Sequence, residues 1–321
     1  MNNSFDILPA RTQRAWRDAQ AFDYVAEQSP QVIDTGDFNQ VLLFEEVVLR
    51  VPRGELLSAR AALEYESELS FMLSEAHEQP PVEVPQLLEV QYSERPYYML
   101  ISRLPGAAYT PGDLRQLSVA EKRCFGSKIG AFIAWYAGAL DLSTTRDLVR
   151  WTGVRLPDRL DTVKECANLV LHATDIHEAL ADVLWNNYQQ YLQYKKDGVL
   201  EPTIVGHDDL HVGNLTFTQA IEGREVSGVL DFGNTRLSTP ERELRHIAHL
   251  GDAALSAAIN SYETATGATV SRELIHFWAT AQAGTILASR LKANCSNMTD
   301  SISRMSALHP DVDWSQAFVK V

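Results

Sequence analysis

Short apolar runs separated by polar pairs dominate the first hundred residues of the chain. Gln40–Phe44 and Val47–Val51 are rich in β-branched residues and are separated by two glutamates, which is typical of a β-hairpin. Gln86–Tyr92 and Tyr97–Arg103 predict two more strands, joined by a turn. Between the two pairs, Leu56–His77 has the longer period of a helix. The pattern predicts a mostly antiparallel sheet with one long helix inserted.

A helical pattern takes over after Leu104-Pro105-Gly106, which breaks the last strand. Ser118 and Glu121 have the spacing of a capping box. The apolar residues behind them fall on one helical face: Phe125, Ile129, Phe132, Ile133 and Tyr136. Further helices are predicted at about 10–28, 176–192, 240–266 and 272–292. We therefore predict a small β-rich lobe at residues 1–103 and a larger, mainly helical lobe at residues 104–321.

Composition indicates a globular protein with more than one core. The chain has 321 residues, of which 45% are apolar. It contains no apolar run of the roughly 18 residues that a membrane span needs, and no apolar signal core follows its N-terminus. The three cysteines lie far apart, which argues against a zinc ribbon or a disulfide framework. A cytoplasmic protein without membrane partners is the simplest expectation.

The formal charge of −14 argues against a nucleic-acid partner, because such proteins normally have a basic surface. An acidic balance suits a cationic substrate or a metal–nucleotide complex. It suits plain solubility equally well, so charge alone does not select a substrate.

One stretch between the predicted helices, residues 203–237, is not helical and is dense in polar residues. It contains His207-Asp208-Asp209-Leu210-His211-Val212-Gly213-Asn214, of the form H-x-D-L-x-x-x-N, and Asp231-Phe232-Gly233 follows 17 residues after Asn214. Apolar runs around Glu222-Gly223 predict a hairpin that returns the second motif to the first. Kinase-type phosphoryl transfer uses such a pair: one Asp beside the attacking hydroxyl, then an Asn and a second Asp as oxygen ligands of Mg²⁺.

These motifs resemble those of the aminoglycoside phosphotransferase family, whose relatives include macrolide phosphotransferases and choline kinases. That family has H-G-D-L-H-P-G-N, then D-F/W-G/S, then D-P-x-x-D-L, which here becomes Thr239-Pro240-Glu241-Arg242-Glu243-Leu244. Gly36-Asp37-Phe38-Asn39 is similar to the family's G-x-x-N loop, and 48–53 to its V-x-R/K-x-P-R strand. The resemblance covers about residues 30–260. It implies an α+β, bilobal protein-kinase-like fold with a small antiparallel-sheet N-lobe and a larger, mainly helical C-lobe.

The resemblance implies a role for each matching residue. Asp209 would be the catalytic base, and Asn214 and Asp231 would be the Mg²⁺ ligands. Arg50 would contact the nucleotide phosphates, with Glu66 as its ion-pair partner and Glu64 or Glu68 as the alternatives in another register. The remaining nucleotide contacts would come from Gly36, Asn39 and the hinge at 100–103, which includes Ile101 and Arg103.

The activity that the resemblance implies is transfer of the γ-phosphate of ATP or GTP to a hydroxyl group of a small molecule. An aminoglycoside-like antibiotic or an amino-alcohol metabolite, either of them cationic, would suit the acidic balance of the chain. Mg²⁺ would be the cofactor.

The sequence departs from the family pattern at several positions. Asp208 stands where the family has Gly, a position that a positive φ would explain and that Asp tolerates well. As a second carboxylate it would raise the pKa of Asp209, bind a cationic substrate, or simply be solvated. Val212 replaces Pro, Arg50 stands where many members have Lys, and Ser238-Thr239 replaces Gly-Asp.

Two other functions fit parts of the sequence. A non-catalytic kinase-like module that binds nucleotide without transfer would explain Asp208 and the absence of a glycine-rich G-x-G-x-x-G loop. A metallohydrolase would explain His207-x-Asp209-x-His211, because alternating ligands on a strand face one side. Gly213 and Asn214 downstream favour a loop over a strand.

Overall fold

The computed structural model of the protein describes residues 8–23, 25–26, 28–33, 39–53, 57–154, 168, 178–220, 223–292 and 299–312. The strands are β1 (Gln31–Ile33), β2 (Asn39–Leu43), β3 (Val47–Pro52), β4 (Leu87–Gln91), β5 (Tyr98–Ser102), β6 (Ala107–Ala108), β7 (Ile204–Gly206), β8 (Leu215–Ala220), β9 (Gly223–Val229) and β10 (Arg236–Ser238). The helices are α1 (Ala10–Ala19), α2 (Leu57–Ser74), α3 (Pro111–Arg115), α4 (Val119–Ala139), α5 (Leu142–Thr152), α6 (Glu178–Lys196), α7 (Pro240–Ala248), α8 (Asp252–Thr266), α9 (Arg272–Lys292) and α10 (Thr299–Leu308).

A five-stranded antiparallel sheet in the order β1-β2-β3-β5-β4 forms the N-terminal part. Leu42, Leu49 and Leu100 are fully buried in the cluster that includes Trp16 of α1. Met99 and Ile101 form a separate cluster with Leu63 of α2. Neighbouring side chains on a strand point to opposite sides of a sheet, so β5 contributes to both clusters. The predicted sheet with one long inserted helix is present.

The helices of the C-terminal part surround two small sheets, β10-β7 and β6-β8-β9. The predicted capping box is present, because Ser118 accepts from Glu121 N while the Glu121 side chain accepts from Ser118 N. Helices α4 and α8 approach closely at two glycines. A Cβ atom at Gly126 would lie 2.0 Å from Ala254 O, and one at Gly130 would lie 2.1 Å from Ala258 O. Glycine is therefore required at both positions for this packing.

Two predicted helices are shorter than expected. The helix expected at 10–28 ends at Ala19, where the chain enters turns. The helix expected at 240–266 is two helices, α7 and α8, separated at Gly251. That glycine has φ 96°, a conformation that other residues adopt rarely, so the chain changes direction there. The sequence predicted one helix because apolar residues keep a helical spacing through this break. They do so because α7 and α8 each bury one face in the same core.

The α+β, bilobal kinase-like fold class is confirmed by this architecture. The end of β5 at Ser102 lies next to the expected boundary, and the division into lobes 1–103 and 104–321 stays a prediction. Among the described helices, none combines the length and the hydropathy needed to cross a lipid bilayer.

Candidate active site

A loop after β7 carries the H-x-D-L-x-x-x-N motif and is fixed by His207. The imidazole is buried among the rings of Phe132, Tyr136 and Phe232. Nε2 lies 3.0 Å from Leu230 O, and Nδ1 accepts a hydrogen bond of 3.3 Å from Asp209 N. Burial lowers the pKa of His207, so the ring is neutral at pH 7 and serves as a fixed link between the two motifs.

The carboxylate of Asp209 is held by two amide groups. Asn214 Nδ2 donates to the carbonyl oxygen of Asp209 at 2.9 Å and to Oδ2 at 3.3 Å. Asn234 Nδ2 donates to the same Oδ2 at 3.0 Å. Both donors meet the same oxygen, which fixes the orientation of the carboxylate.

The backbone brings the segment before Asp231 against Asn214. Leu230 N donates to Asn214 O at 2.8 Å, so Asp231 follows directly after a residue bonded to the end of the loop at 207–214. Asp231 has φ 63°, and Phe232 behind it is buried and stacks on Tyr136. Asp208, with φ 60°, is the other non-glycine residue of the described chain with positive φ. Such conformations cluster at functional sites.

Arg50 connects the N-terminal sheet to this site. Its side chain, on β3, bonds Glu66 of α2 through Nη1 and lies 3.1 Å from Asp231 Oδ1 through Nη2. The predicted partner is therefore Glu66, while Glu64 pairs with Arg60 at 3.7 Å. The Arg50 guanidinium thus reaches a carboxylate that is 181 positions away in sequence.

The Arg50–Glu66 pair is buried, and burial has opposite consequences for the two partners. Burial lowers the pKa of Arg50, but the attraction of Glu66 and Asp231 outweighs it and the net direction is upward. Burial raises the pKa of Glu66, which the attraction of Arg50 opposes. The Phe232 N–H also bonds Glu66. Helix α2 is therefore tied to the Asp231 motif by charge and by a backbone hydrogen bond.

The oxygen groups here fit a hard cation such as Mg²⁺. Asn214 uses its Nδ2 for Asp209, which leaves Oδ1 as a ligand oxygen. The Asp231 side chain is 39% exposed, so its second carboxylate oxygen remains accessible. Clusters of three or more His, Cys, Asp or Glu suited to a metal are absent from the described residues. Mg²⁺ needs few protein groups, because phosphates and water supply the remaining ligands.

Asp208 is neither solvated nor placed to bind a cationic substrate. It is completely buried, and three arginines surround it: Arg236 Nε at 2.8 Å, Arg242 Nε at 2.8 Å and Arg245 Nη2 at 2.9 Å. Burial favours the neutral acid, but the attraction of Arg245, Arg242 and Arg236 is stronger and holds the pKa of Asp208 below its ordinary range. Asp208 therefore forms buried ion pairs with all three arginines beneath the loop.

Three of the remaining predicted site residues, Asn39, Ile101 and Arg103, lie in or beside the N-terminal sheet. Gly36 lies outside the described residues, whereas Asn39 begins β2 and pairs with Pro52. Ile101, within β5, pairs with Val48 and Leu87. Arg103 N donates to Glu46 O, and its Nη1 donates to Phe44 O at 2.6 Å. Because the Arg103 N–H already donates to Glu46 O, it is not placed to bind a nucleotide base. The assignment of 100–103 as the nucleotide-binding hinge stays a prediction.

Sequence reasoning missed two groups that hold the site. Asn234, which bonds Asp209, lies outside both motifs, and its position three residues after Asp231 gave no signal. Thr235 is bonded by Tyr65 of α2 through its carbonyl oxygen and by Tyr136 of α4 through Oγ1, each at 2.6 Å. Both tyrosines are buried, so these bonds connect the Asp231 motif to helices on either side of it.

The metallohydrolase alternative does not fit this geometry. Residues 207–211 form a loop rather than a strand. Both ring nitrogens of His207 are occupied within the protein, and His211 Nδ1 accepts from Gly213 N at 3.0 Å. A metal ion would have to displace these contacts.

The sequence profile described as the phosphotransferase enzyme family (APH) matches residues 13–278. No curated protein sequence matches the chain.

Solved structures with a similar fold include aminoglycoside and macrolide phosphotransferases. The GDP and kanamycin complex of APH(2″)-IIIa has a TM-score of 0.66 at 16% identity, over 92% of this chain and 97% of that chain. The streptomycin–ATP–APH(2″)-IIa ternary complex has a TM-score of 0.61 at 14% identity, over 97% and 99%. The macrolide 2′-phosphotransferase MphH from Brachybacterium faecium has a TM-score of 0.57 at 17% identity, over 88% and 92%. At these identities the likeness establishes the fold alone.

Proposed function

Because the chain belongs to the phosphotransferase enzyme family, we propose that it transfers the γ-phosphoryl group of ATP or GTP to a hydroxyl group of a small molecule. The observation that carries this proposal is the convergence of Asp209, Asn214 and Asp231 with the Arg50–Glu66 pair. The sequence alone suggested an aminoglycoside-like or amino-alcohol acceptor, which stays a prediction.

In the proposed reaction the acceptor hydroxyl lies against Asp209. Its oxygen forms a bond to the γ-phosphorus, while the bond from that phosphorus to the β,γ-bridging oxygen breaks and the nucleoside diphosphate leaves. The hydroxyl proton passes to the Asp209 carboxylate. Phosphoryl transfer has a loose transition state, so alignment and charge neutralisation contribute most of the catalysis. Asn214 and Asn234 supply the alignment, because both hold Asp209 Oδ2.

Mg²⁺ would be held by Asn214 Oδ1 and the Asp231 carboxylate together with nucleotide phosphates, and would neutralise phosphate charge when bound. Arg50 would add a fixed positive charge beside the phosphates. Glu66 keeps that charge in place, since a buried arginine without its partner carboxylate would have no stable position.

The test of this function is nucleoside diphosphate release with a panel of hydroxylated acceptors, assayed with Mg-ATP and with Mg-GTP. The expected result is release that depends on one acceptor class and a product that carries a phosphate monoester. Nucleotide binding without release for any acceptor would contradict it and favour the non-catalytic module.

We expect Mg-nucleotide to raise the melting temperature, because a ligand that binds only the folded state stabilises it. At a nucleotide concentration of 100 times Kd the gain is about 2.7 kcal/mol. The Asp231→Asn variant should lose most of this stabilisation by nucleotide when Mg²⁺ is present. In EDTA its stabilisation by nucleotide should equal that of the wild type. Thermal unfolding with and without EDTA measures both. An Asp231→Asn protein with the full magnesium-dependent gain would remove the metal-ligand assignment.

We expect Arg50→Met to raise the nucleotide KM about tenfold or more, because charge-assisted hydrogen bonds contribute about 1.5–3 kcal/mol. Arg50→Lys should recover part of the affinity, since an ammonium group keeps the charge but cannot reach Glu66 and Asp231 with one planar fork. The matched control is Arg60→Met, which breaks an arginine–glutamate pair on α2 whose arginine is 45% exposed. Equal KM values for Arg50→Met and Arg60→Met would contradict the phosphate-contact role.

A further inference from the structure

Three consecutive residues that follow the Asp231 motif connect the catalytic loop to two helices. They are Asn234-Thr235-Arg236, and we call them the 234–236 segment. Asn234 Nδ2 donates to Asp209 Oδ2 at 3.0 Å, and Arg236 Nε lies 2.8 Å from Asp208 Oδ2. The two outer residues of the segment therefore hold two neighbouring residues of the loop.

The central residue of the segment, Thr235, is completely buried, and each of its polar groups is bonded. Its N–H and its hydroxyl group both donate to Phe232 O, at 3.0 and 2.7 Å. Because the hydroxyl is a donor there, its oxygen accepts from the Tyr136 hydroxyl of α4. The Thr235 carbonyl oxygen accepts from the Tyr65 hydroxyl of α2. A shift of the segment would break buried hydrogen bonds, so Thr235 fixes the main chain that carries Asn234.

The two tyrosines hold Thr235 by different groups. Tyr136 meets the side chain, and the Thr235 hydroxyl would still have Phe232 O as a partner without it. Tyr65 meets the main chain, and removal of its hydroxyl would take the donor away from a buried carbonyl oxygen. The position of the segment therefore depends more on Tyr65 than on Tyr136.

Tyr65 belongs to the turn of α2 that also serves the nucleotide side of the site. Its neighbour Glu66 holds the Arg50 guanidinium. Tyr65 is completely buried in the same core as helix α4, and burial raises the pKa of Tyr65, so its hydroxyl keeps its proton and donates. Two adjacent residues of one helix thus hold the guanidinium beside Asp231 and the segment that reaches Asp209.

We propose that Tyr65 is a positioning residue for the Asp209 base and acts through the 234–236 segment. The proposal rests on the proposed phosphotransferase function and adds a residue to its machinery. The Tyr65 hydroxyl bonds Thr235, and the neighbouring Asn234 sets the direction of the Asp209 carboxylate. Misplacement of a reacting group by about 1 Å can lower a rate about 100-fold, so this indirect bond affects kcat. One turn of α2 then positions the base as well as the phosphate-contacting cation.

The first test is a double-mutant cycle in kcat, measured with an acceptor that the panel identifies. Tyr65→Phe keeps the ring and should lower kcat about tenfold, with an unchanged KM for nucleotide because Glu66 and Arg50 keep their bond. Asn234→Ala should lower kcat at least as much. If Tyr65 acts through Asn234, Tyr65→Phe has no further effect on kcat in the Asn234→Ala protein. Fold-changes that multiply would show that the two residues act independently and would overturn the proposal.

The matched control for the tyrosine is Tyr194→Phe. It removes a hydroxyl hydrogen bond of similar length, 2.7 Å to Glu273, which joins α6 to α9. This variant should keep the wild-type kcat, and equal kcat values for Tyr65→Phe and Tyr194→Phe would contradict the positioning role.

Asn234→Asp separates hydrogen-bond donation from side-chain shape. Aspartate has the shape of asparagine but no N–H group to offer Asp209, so kcat should fall at least as far as in Asn234→Ala. Asn234 is half-buried, so both variants should keep the fold. Wild-type kcat in Asn234→Asp would overturn the proposal.

The second test needs no turnover, so it separates this inference from the proposed function. In the full-length protein labelled with ¹⁵N-asparagine, the side-chain amide resonance of Asn234 is identified by its loss in Asn234→Ala. An amide proton in a charge-assisted hydrogen bond resonates at higher frequency than one in a weaker bond. Asp209→Asn and Tyr65→Phe should both move the resonance to lower frequency, and Tyr194→Phe should leave it in place.

The two possible failures give different results. Movement of the Asn234 resonance in Tyr65→Phe without turnover of any acceptor would mean that the function fails while Tyr65 still positions the Asp209 carboxylate. A resonance that Tyr65→Phe leaves in place would overturn the positioning role, whatever the activity of the protein.

Discussion

We expect Asp209→Asn to reduce kcat by about 10²–10⁴-fold while the protein keeps its fold and its nucleotide affinity, which is the loss that the proposed general-base role predicts. Asn214 and Asn234 both donate to Asp209 Oδ2. An asparagine can present its own oxygen to these donors, and its NH₂ group then replaces the oxygen that would accept the hydroxyl proton. The loop geometry is kept and only the base is lost.

The measurement pairs kcat from diphosphate release with nucleotide affinity from calorimetry. Asp182→Asn is the control, because Asp182 is an exposed acid on α6 and should leave both quantities unchanged. Turnover by Asp209→Asn at the wild-type rate would remove the base assignment. A parallel loss of nucleotide affinity would show that Asp209 acts through binding instead.

We expect Asp208→Asn to destabilise the protein by about 3–5 kcal/mol, because it removes the carboxylate that lies between three buried guanidinium groups. At about 2–4 °C per kcal/mol, the melting temperature should fall by about 10 °C. The control is Asp252→Asn, which breaks an aspartate–arginine contact with Arg272 of similar length, 2.7 Å, whose aspartate is 80% exposed. Exposed pairs contribute about 0–1 kcal/mol, so this variant should be nearly neutral.

A second substitution distinguishes ion pairing from simple packing around Asp208. If the arginines are the cause, Asp208→Asn combined with Arg245→Leu should be less destabilised than the two single changes added together. Additive losses in this double-mutant cycle would contradict the ion-pair account.

The pH dependence of the same variant has a defined sign. The pKa of Asp208 is lower in the folded protein than the ordinary value of about 3.9 for an unfolded chain. The contribution of Asp208 to the unfolding free energy is therefore complete at pH values above that ordinary pKa. It is lost as the pH falls toward the pKa of the folded protein. The difference in unfolding free energy between wild type and Asp208→Asn should be constant near neutrality and narrow below about pH 4, as measured by denaturant unfolding at each pH.

The presence of Asp208 in place of the family's glycine is matched by the arginines that surround it in the fold. The residue has φ 60°, which suits the glycine of the family motif, and aspartate tolerates this conformation. A carboxylate there requires cations, and α7 supplies Arg242 and Arg245 one turn apart while β10 supplies Arg236. The motif Thr239-Pro240-Glu241-Arg242-Glu243-Leu244 thus supports the catalytic loop in two ways, since Glu243 also accepts from Asp208 N at 2.9 Å.

The sequence by itself determined the features that depend on neighbouring residues. Two short apolar runs separated by two glutamates predicted the β2–β3 hairpin, the Ser118 and Glu121 spacing predicted the start of α4, and the motif at 207–214 predicted a loop. These features are local because a strand, a cap or a turn is decided by residues within a few positions of one another.

Only the tertiary structure decided which environment each charged side chain meets. Arg50 reaches Asp231 across 181 positions, and Asp208 is buried among arginines instead of solvated. Burial and Coulomb attraction depend on distance in space, and folding brings distant segments together. A sequence pattern records which charges exist, whereas their partners and their desolvation are fixed only when the chain is folded.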